Sequence, residues 1–156
     1  GHPSVGTAWW LAQSGTPLVT LAAGAGDIAV RYEDEITWII GRPEWAPDFE
    51  WMPLATPQEI DALEPADFNA GHHYAYSWVD SYRGILRSRM FAPDMGISED
   101  EATGSAAIRI TALLDRELEI HQGRGSLIVT RLASSGLVEV GGRTVFDRRI
   151  KISLAG

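Results

Sequence analysis

The stretch Gly96-Ile97-Ser98-Glu99-Asp100-Glu101-Ala102-Thr103-Gly104-Ser105-Ala106-Ala107 constrains the fold of this chain more than any other. Three consecutive acids run into a turn of small residues. That turn opens a segment with apolar residues at 106, 110, 113, 114 and 118, the spacing of one helix face. Thr103 or Ser105 is suited to cap the helix, and Gly104 lets a ligand or a neighbouring backbone come close. A helix entered in this way presents free N–H groups and the positive end of its dipole, where carboxylates and phosphates settle. Asp100, just ahead of those amides, is placed to handle a proton.

A second helix with a small-residue entry stands at the start of the chain. Pro3 suits a first helical turn, and Val5, Ala8, Trp9 and Ala12 form an apolar stripe that Gly15 and Pro17 end. Short alternating segments follow at 18–23, 27–32 and 35–40, with 26–40 reading as a hairpin. Residues 41–70 hold five of the eight prolines and read as a crossover. Within it, Thr56-Pro57-Gln58-Glu59 is a capping box that predicts a short helix to about Leu63. Strands are expected at 73–79, 85–91, 118–122 and 126–132. Gly141-Gly142 reads as a hairpin turn between strands at 137–140 and 144–146, and a closing strand is expected at 150–154. Ten or so short strands and two principal helices give an α+β fold, with antiparallel sheet curled around a helix in each half.

Several functions are disfavoured at once. There is no cysteine, so disulfides, thiol catalysis and thiolate metal sites are absent. The net charge of −8 argues against nucleic acid as a partner. No apolar run nears the ~20 residues that span a bilayer. No secretory leader pattern is visible, so the expectation is a cytoplasmic protein without membrane contact. His72 and His73 are adjacent, so a strand sends them to opposite faces and they make a poor chelating pair. Arg83, Arg87 and Arg89 read as a solvated strand face, and Arg124 in its glycine turn as a weak anion site. The chain opens Gly1-His2-Pro3 without methionine and enters a helix at once. It is therefore expected to be a fragment, a processed chain or one piece of a larger assembly.

Three stretches carry a family resemblance. Gly1-His2-Pro3-Ser4-Val5-Gly6-Thr7-Ala8 resembles the GHPxxGxA motif of the PhzF-like (phenazine biosynthesis) isomerase/epimerase family. Arg89-Met90-Phe91-Ala92-Pro93, Gly96-Ile97 and Glu99-Asp100-Glu101-Ala102-Thr103-Gly104-Ser105-Ala106 resemble its second signature, and Gln122-Gly123-Arg124-Gly125-Ser126 a third. Their order and spacing agree across essentially the whole chain. The resemblance implies a diaminopimelate epimerase-like fold of two curved, mostly antiparallel sheets, each wrapping a helix, with the active site in the cleft between two domains. On that reading residues 1–40 are the second half of an incomplete N-terminal domain and 41–70 are the crossover. Residues 71–147 are the C-terminal domain, and 148–156 are a closing strand that returns to the first domain.

The resemblance also implies proton transfer on a small carboxylate-bearing substrate, without metal or organic cofactor. His2, Asp100 and Ser105 match the family's active-site histidine, aspartate and serine, and Gly1 and Gly104 match glycines whose backbone lies at the substrate. The amides of Gly104, Ser105 and Ala106 would seat the carboxylate. His2 has the unperturbed pKa suited to acid–base work. Glu101 stands where many members have proline and puts a second negative charge beside Asp100. The family's principal acid/base is a glutamate upstream of the GHP motif, in a region outside this chain. A second polypeptide is expected to supply it, and the family commonly forms homodimers. The alternative class is a non-catalytic binding or interaction subunit of the same fold, exposing apolar surface such as Trp9, Trp10 and Trp38.

Overall fold

Short alternating segments build most of the molecule, and the computed structural model describes residues 1–24 and 26–147 of it. Helix α1 (His2–Gln13) leads into β1 (Thr20–Ala23), β2 (Gly26–Glu33) and β3 (Ile36–Gly41). The proline-rich crossover carries β4 (Glu50–Pro53) and the short α2 (Pro57–Asp61). Then come β5 (His73–Asp80), β6 (Ile85–Ala92), β7 (Ile97–Asp100), α3 (Gly104–Leu114), β8 (Leu118–Gln122), β9 (Ser126–Leu132) and β10 (Val138–Arg143). The fold is α+β, as expected. The closing strand expected at 150–154 lies outside the described residues.

The strands form one hydrogen-bonded path, β1-β2-β3-β10-β9-β8-β6-β5-β4, with β7 on β6. The two sheets expected from the two halves are thus arms of one sheet, joined where β10 runs antiparallel to β3. Helix α1 lies against β3, and α3 lies against β9 and β10. Buried residues from both halves meet in one core that includes Val5, Ala8, Ile39, Tyr74, Ile110, Ile120 and Val140.

One pairing detail fixes the site. Strand β5 occupies one edge of β6 along its length. On the opposite edge, residues 85–88 of β6 pair with β8, and Met90 and Ala92 pair with β7. Strands β7 and β8 therefore lie end to end beside β6. Gln122, the last residue of β8, abuts Asp100, the last residue of β7, and α3 begins four residues beyond Asp100.

The sequence reading needs four corrections. Gly141-Gly142 is not a turn: β10 runs straight through both residues, paired with β3 on one side and β9 on the other. The glycine is needed for contact, because a Cβ on Gly141 would lie 2.7 Å from Ile36 Cγ2 and 2.8 Å from the Trp38 ring. Helix α3 stops at Leu114, because Asp115 takes a left-handed conformation (φ 49°), and Leu118 belongs to β8. Trp38 is not exposed surface but 2% exposed. It lies under the guanidinium groups of Arg31 and Arg131, at 5.3 and 4.3 Å. Finally, Arg87 and Arg89 are not simply solvated. Arg87 pairs with Asp61 at 2.8 Å. Arg89 forks onto Glu99 at 2.7 and 2.8 Å and donates to the Leu63 carbonyl at 2.6 Å. It thereby ties the end of α2 to β7.

Candidate active-site cleft

Helices α1 and α3 meet head to head. A Cβ built on Gly1 would stand 2.8 Å from both Cα and N of Gly104, and one on Gly104 would stand 2.8 Å from Gly1 Cα. Only glycine at both positions allows this approach, and contacts of that length involve backbone that cannot swing aside. Neither helix has a side-chain cap. The ladder of α3 begins with the Ala107 amide bonded to the Thr103 carbonyl at 3.0 Å. The amides of residues 104–106 therefore have no partner within the helix. Two positive dipole ends converge on one spot.

A cleft of about 790 Å³ opens there. Gly1, His2 and Gly104 form one wall, and Ser126, Gly142 and Arg143 belong to the facing wall from β9 and β10. Arg143 holds Glu35 at 3.2 Å. Three of the six candidates, Gly1, His2 and Gly104, thus line the cleft. Asp100, Ser105 and Ala106 are not among its lining residues; Ser105 is half-buried and Ala106 fully buried.

His2 and Asp100, far apart in sequence, are brought together. His2 Nδ1 lies 2.6 Å from the Ala102 carbonyl oxygen and 4.0 Å from Asp100 Oδ1. A carbonyl only accepts, so Nδ1 carries the hydrogen and Nε2 remains for proton exchange. The carboxylate of Asp100 serves its own turn. Oδ2 accepts from the Thr103 hydroxyl at 2.8 Å, and Oδ1 from the Ala102 amide at 3.4 Å. Glu101 turns away from Asp100. It accepts from the Arg124 amide at 2.8 Å and lies 3.9 Å from the Arg124 guanidinium.

Sequence reasoning passed over Gln122, Gly142 and Arg143. Gln122 was visible only as a member of a motif, and Gly142 was taken for a turn. His73, one of the adjacent pair, is occupied by the Ala70 carbonyl at 2.6 Å and Glu50 at 3.3 Å. Among the described residues no group of three or more His, Asp and Glu is placed to hold a metal. Among them, too, no helix is long and apolar enough to cross a membrane.

The chain is thus an α+β protein whose cleft is framed by two uncapped helix N-termini, with a histidine at the junction. The family can be stated directly. The phenazine biosynthesis-like (PhzC-PhzF) family model matches residues 66–153, more than half of the chain, and the chain belongs to that family. The match takes in residues 100–106 and 122–126 and stops short of Gly1–Ala8. The fold is similar to the crystal structure of a protein described under phenazine biosynthesis PhzC/PhzF, from Clostridium difficile (strain 630). The TM-score is 0.75 at 16% sequence identity, covering 99% of this chain and 73% of that one. At that identity the likeness concerns the fold alone.

Proposed function

We propose that the cleft binds a small carboxylate-bearing metabolite and supports cofactor-independent proton transfer of the isomerase or epimerase type. The observation that carries this reading is the meeting of two uncapped helix N-termini at Gly1 and Gly104, with His2 held beside them through Nδ1. The amides of residues 104–106 seat the carboxylate, and preorganised donors of this kind stabilise the anion that develops when a neighbouring carbon loses its proton. His2 Nε2 moves the proton. The principal base, a glutamate by family resemblance, comes from residues outside these 156, on the same polypeptide or another, and the assembly is a homodimer.

The test needs no known substrate. Titration with anthranilate, read in ¹H–¹⁵N spectra, is expected to shift the amides of Gly104, Ser105 and Ala106, while neutral anthranilamide leaves them in place. Equal responses to the two compounds, or none, would remove the carboxylate seat.

One observation favours a second reading, a binding module without turnover: both carboxylate oxygens of Asp100 are spent on its own turn. Deuterium incorporation from solvent into a dihydro-hydroxyanthranilate separates the two. It is measured on the chain together with the residues that complete its first domain. Incorporation that falls in Asp100→Asn supports catalysis. Binding without incorporation supports the module.

A further inference from the structure

Behind the cleft lies a buried polar chain whose donor directions are forced. Gln122 is fully buried, as are Tyr74 and Ser88. The Asp100 main-chain oxygen can only accept, so the Gln122 group 2.8 Å from it is the amide nitrogen. The second hydrogen of that nitrogen goes to Thr103 Oγ1 at 2.7 Å. With its oxygen accepting from Gln122, the Thr103 hydroxyl sends its own hydrogen to Asp100 Oδ2 at 2.8 Å. Asp100 Oδ1 then receives the Ala102 amide, and the Ala102 carbonyl receives His2 Nδ1. At the far end, the Tyr74 hydroxyl lies 3.4 Å from Gln122 Oε1 and 3.0 Å from Ser88 Oγ. Ser88 is the register partner of Gln122 across β6 and β8.

We propose that Gln122 is a positioning residue: it orders the turn from Asp100 to Thr103 so that the Ala102 carbonyl holds His2 in the Nδ1–H tautomer, with Nε2 facing the work of the cleft. Buried polar groups demand partners, and both hydrogens of the Gln122 amide are spent on this turn. A buried network of this kind specifies one arrangement when all its members are paired. A histidine side chain free in water prefers the opposite tautomer, with the hydrogen on Nε2, so the form that the Ala102 carbonyl implies at His2 depends on that acceptor at Nδ1. The geometry also gives Asp100 a task suited to its place behind the wall, which is to shape the turn. The functional meaning of the tautomer rests on the reading of His2 as the proton carrier; the tautomer itself does not.

The experiment reads His2 directly. Long-range ¹H–¹⁵N spectra of the imidazole, taken well above the ordinary histidine pKa, distinguish the two tautomers without any ligand. The unmodified chain and Thr103→Ser, which keeps the hydroxyl, are expected to show the Nδ1–H form. Gln122→Met and Thr103→Val are expected to shift the ratio toward Nε2–H by about fivefold, the scale of one ordinary hydrogen bond. Should Gln122→Met fail to fold, the Thr103→Val and Thr103→Ser pair decides alone. An unchanged tautomer in the folded variants overturns the proposal, as does an Nε2–H form in the unmodified chain. Loss of anthranilate binding with the tautomer intact would count against the carboxylate seat and leave this proposal standing.

Discussion

The two helices that meet at the cleft are held in place by different means. Helix α3 buries Gly104, Ala106, Ala107, Ile108, Ile110 and Thr111, whereas α1 buries only Val5 and Ala8. Its Trp10 remains 44% exposed and stacks on Phe146. The entry of α3 is anchored by the Gln122–Thr103–Asp100 chain, while the entry of α1 leans on Gly104 and on the bond from His2 to Ala102. One helix is therefore part of the scaffold, and the other is docked onto it. The lesson is that matching small-residue entries do not imply matching support: the same local signal sits on a core helix in one half and on a surface helix in the other.

That contrast can be broken or sharpened by substitution. The largest effect is expected from Ile110→Ala, which empties a fully buried site under α3 and costs about 3 kcal/mol in urea unfolding. Val5→Ala on α1 is expected to cost about 1 kcal/mol, and equal losses would dissolve the distinction. Gly104→Ala forces the two helix ends apart and is expected to cost about 2 kcal/mol. It should also abolish the anthranilate response, and a variant that kept both would show that the ends need not touch.

A third effect is read from pH. The Arg89 guanidinium, forked onto Glu99, holds that carboxyl below the usual glutamate range, against the opposing effect of burial. A lowered folded pKa gives stability that is present above the unfolded value and lost as pH falls through the folded one. Glu99→Gln is therefore expected to lower stability at neutral pH, where the ion pair is intact, and to flatten the acid limb of the stability curve, followed by circular dichroism, with stability at the lowest pH less affected. An unchanged acid limb would mean that β7 is not held by this pair. The smallest effect is expected from Arg143→Gln. Its pairing with Glu35 is exposed and worth no more than about 0.5 kcal/mol, although the substitution should weaken anthranilate binding at the facing wall.

Much of this was legible in the residues. Alternation located β5 and β6, and the glycine turn at 123–125 located β8 and β9, each to within a residue. The capping box at Thr56 is present with both of its bonds, at 2.9 and 3.3 Å. Two strands went unseen. Strand β4 contains Pro53 at an edge, and β7 ends in Ser98-Glu99-Asp100, so neither has strand-like composition. Tertiary pairing with β5 and β6 overrides local preference in both. Gly141-Gly142 was misread because glycine serves turns and close contacts alike, and only the Trp38 ring reveals which is meant. The proximity of His2 and Asp100 followed from motif resemblance. The role of Gln122 did not, since it depends on β7 and β8 meeting end to end along β6, which no local pattern encodes.

The junction of β3 with β10 has a consequence for the order in which the molecule can assemble. It joins residues 36–41 to residues 138–143, closing a loop of about a hundred residues, and such distant pairings are slow to form. On a ribosome, β2 and β3 would emerge about a hundred residues ahead of β10 and form their hairpin, and the free edge of β3 would then wait until the intervening residues had been synthesised. An unpaired edge bearing Thr37, Trp38, Ile39 and Ile40 is a template for pairing with another chain. The strand that completes the cleft is thus also the one whose late arrival ends the chain's exposure to aggregation.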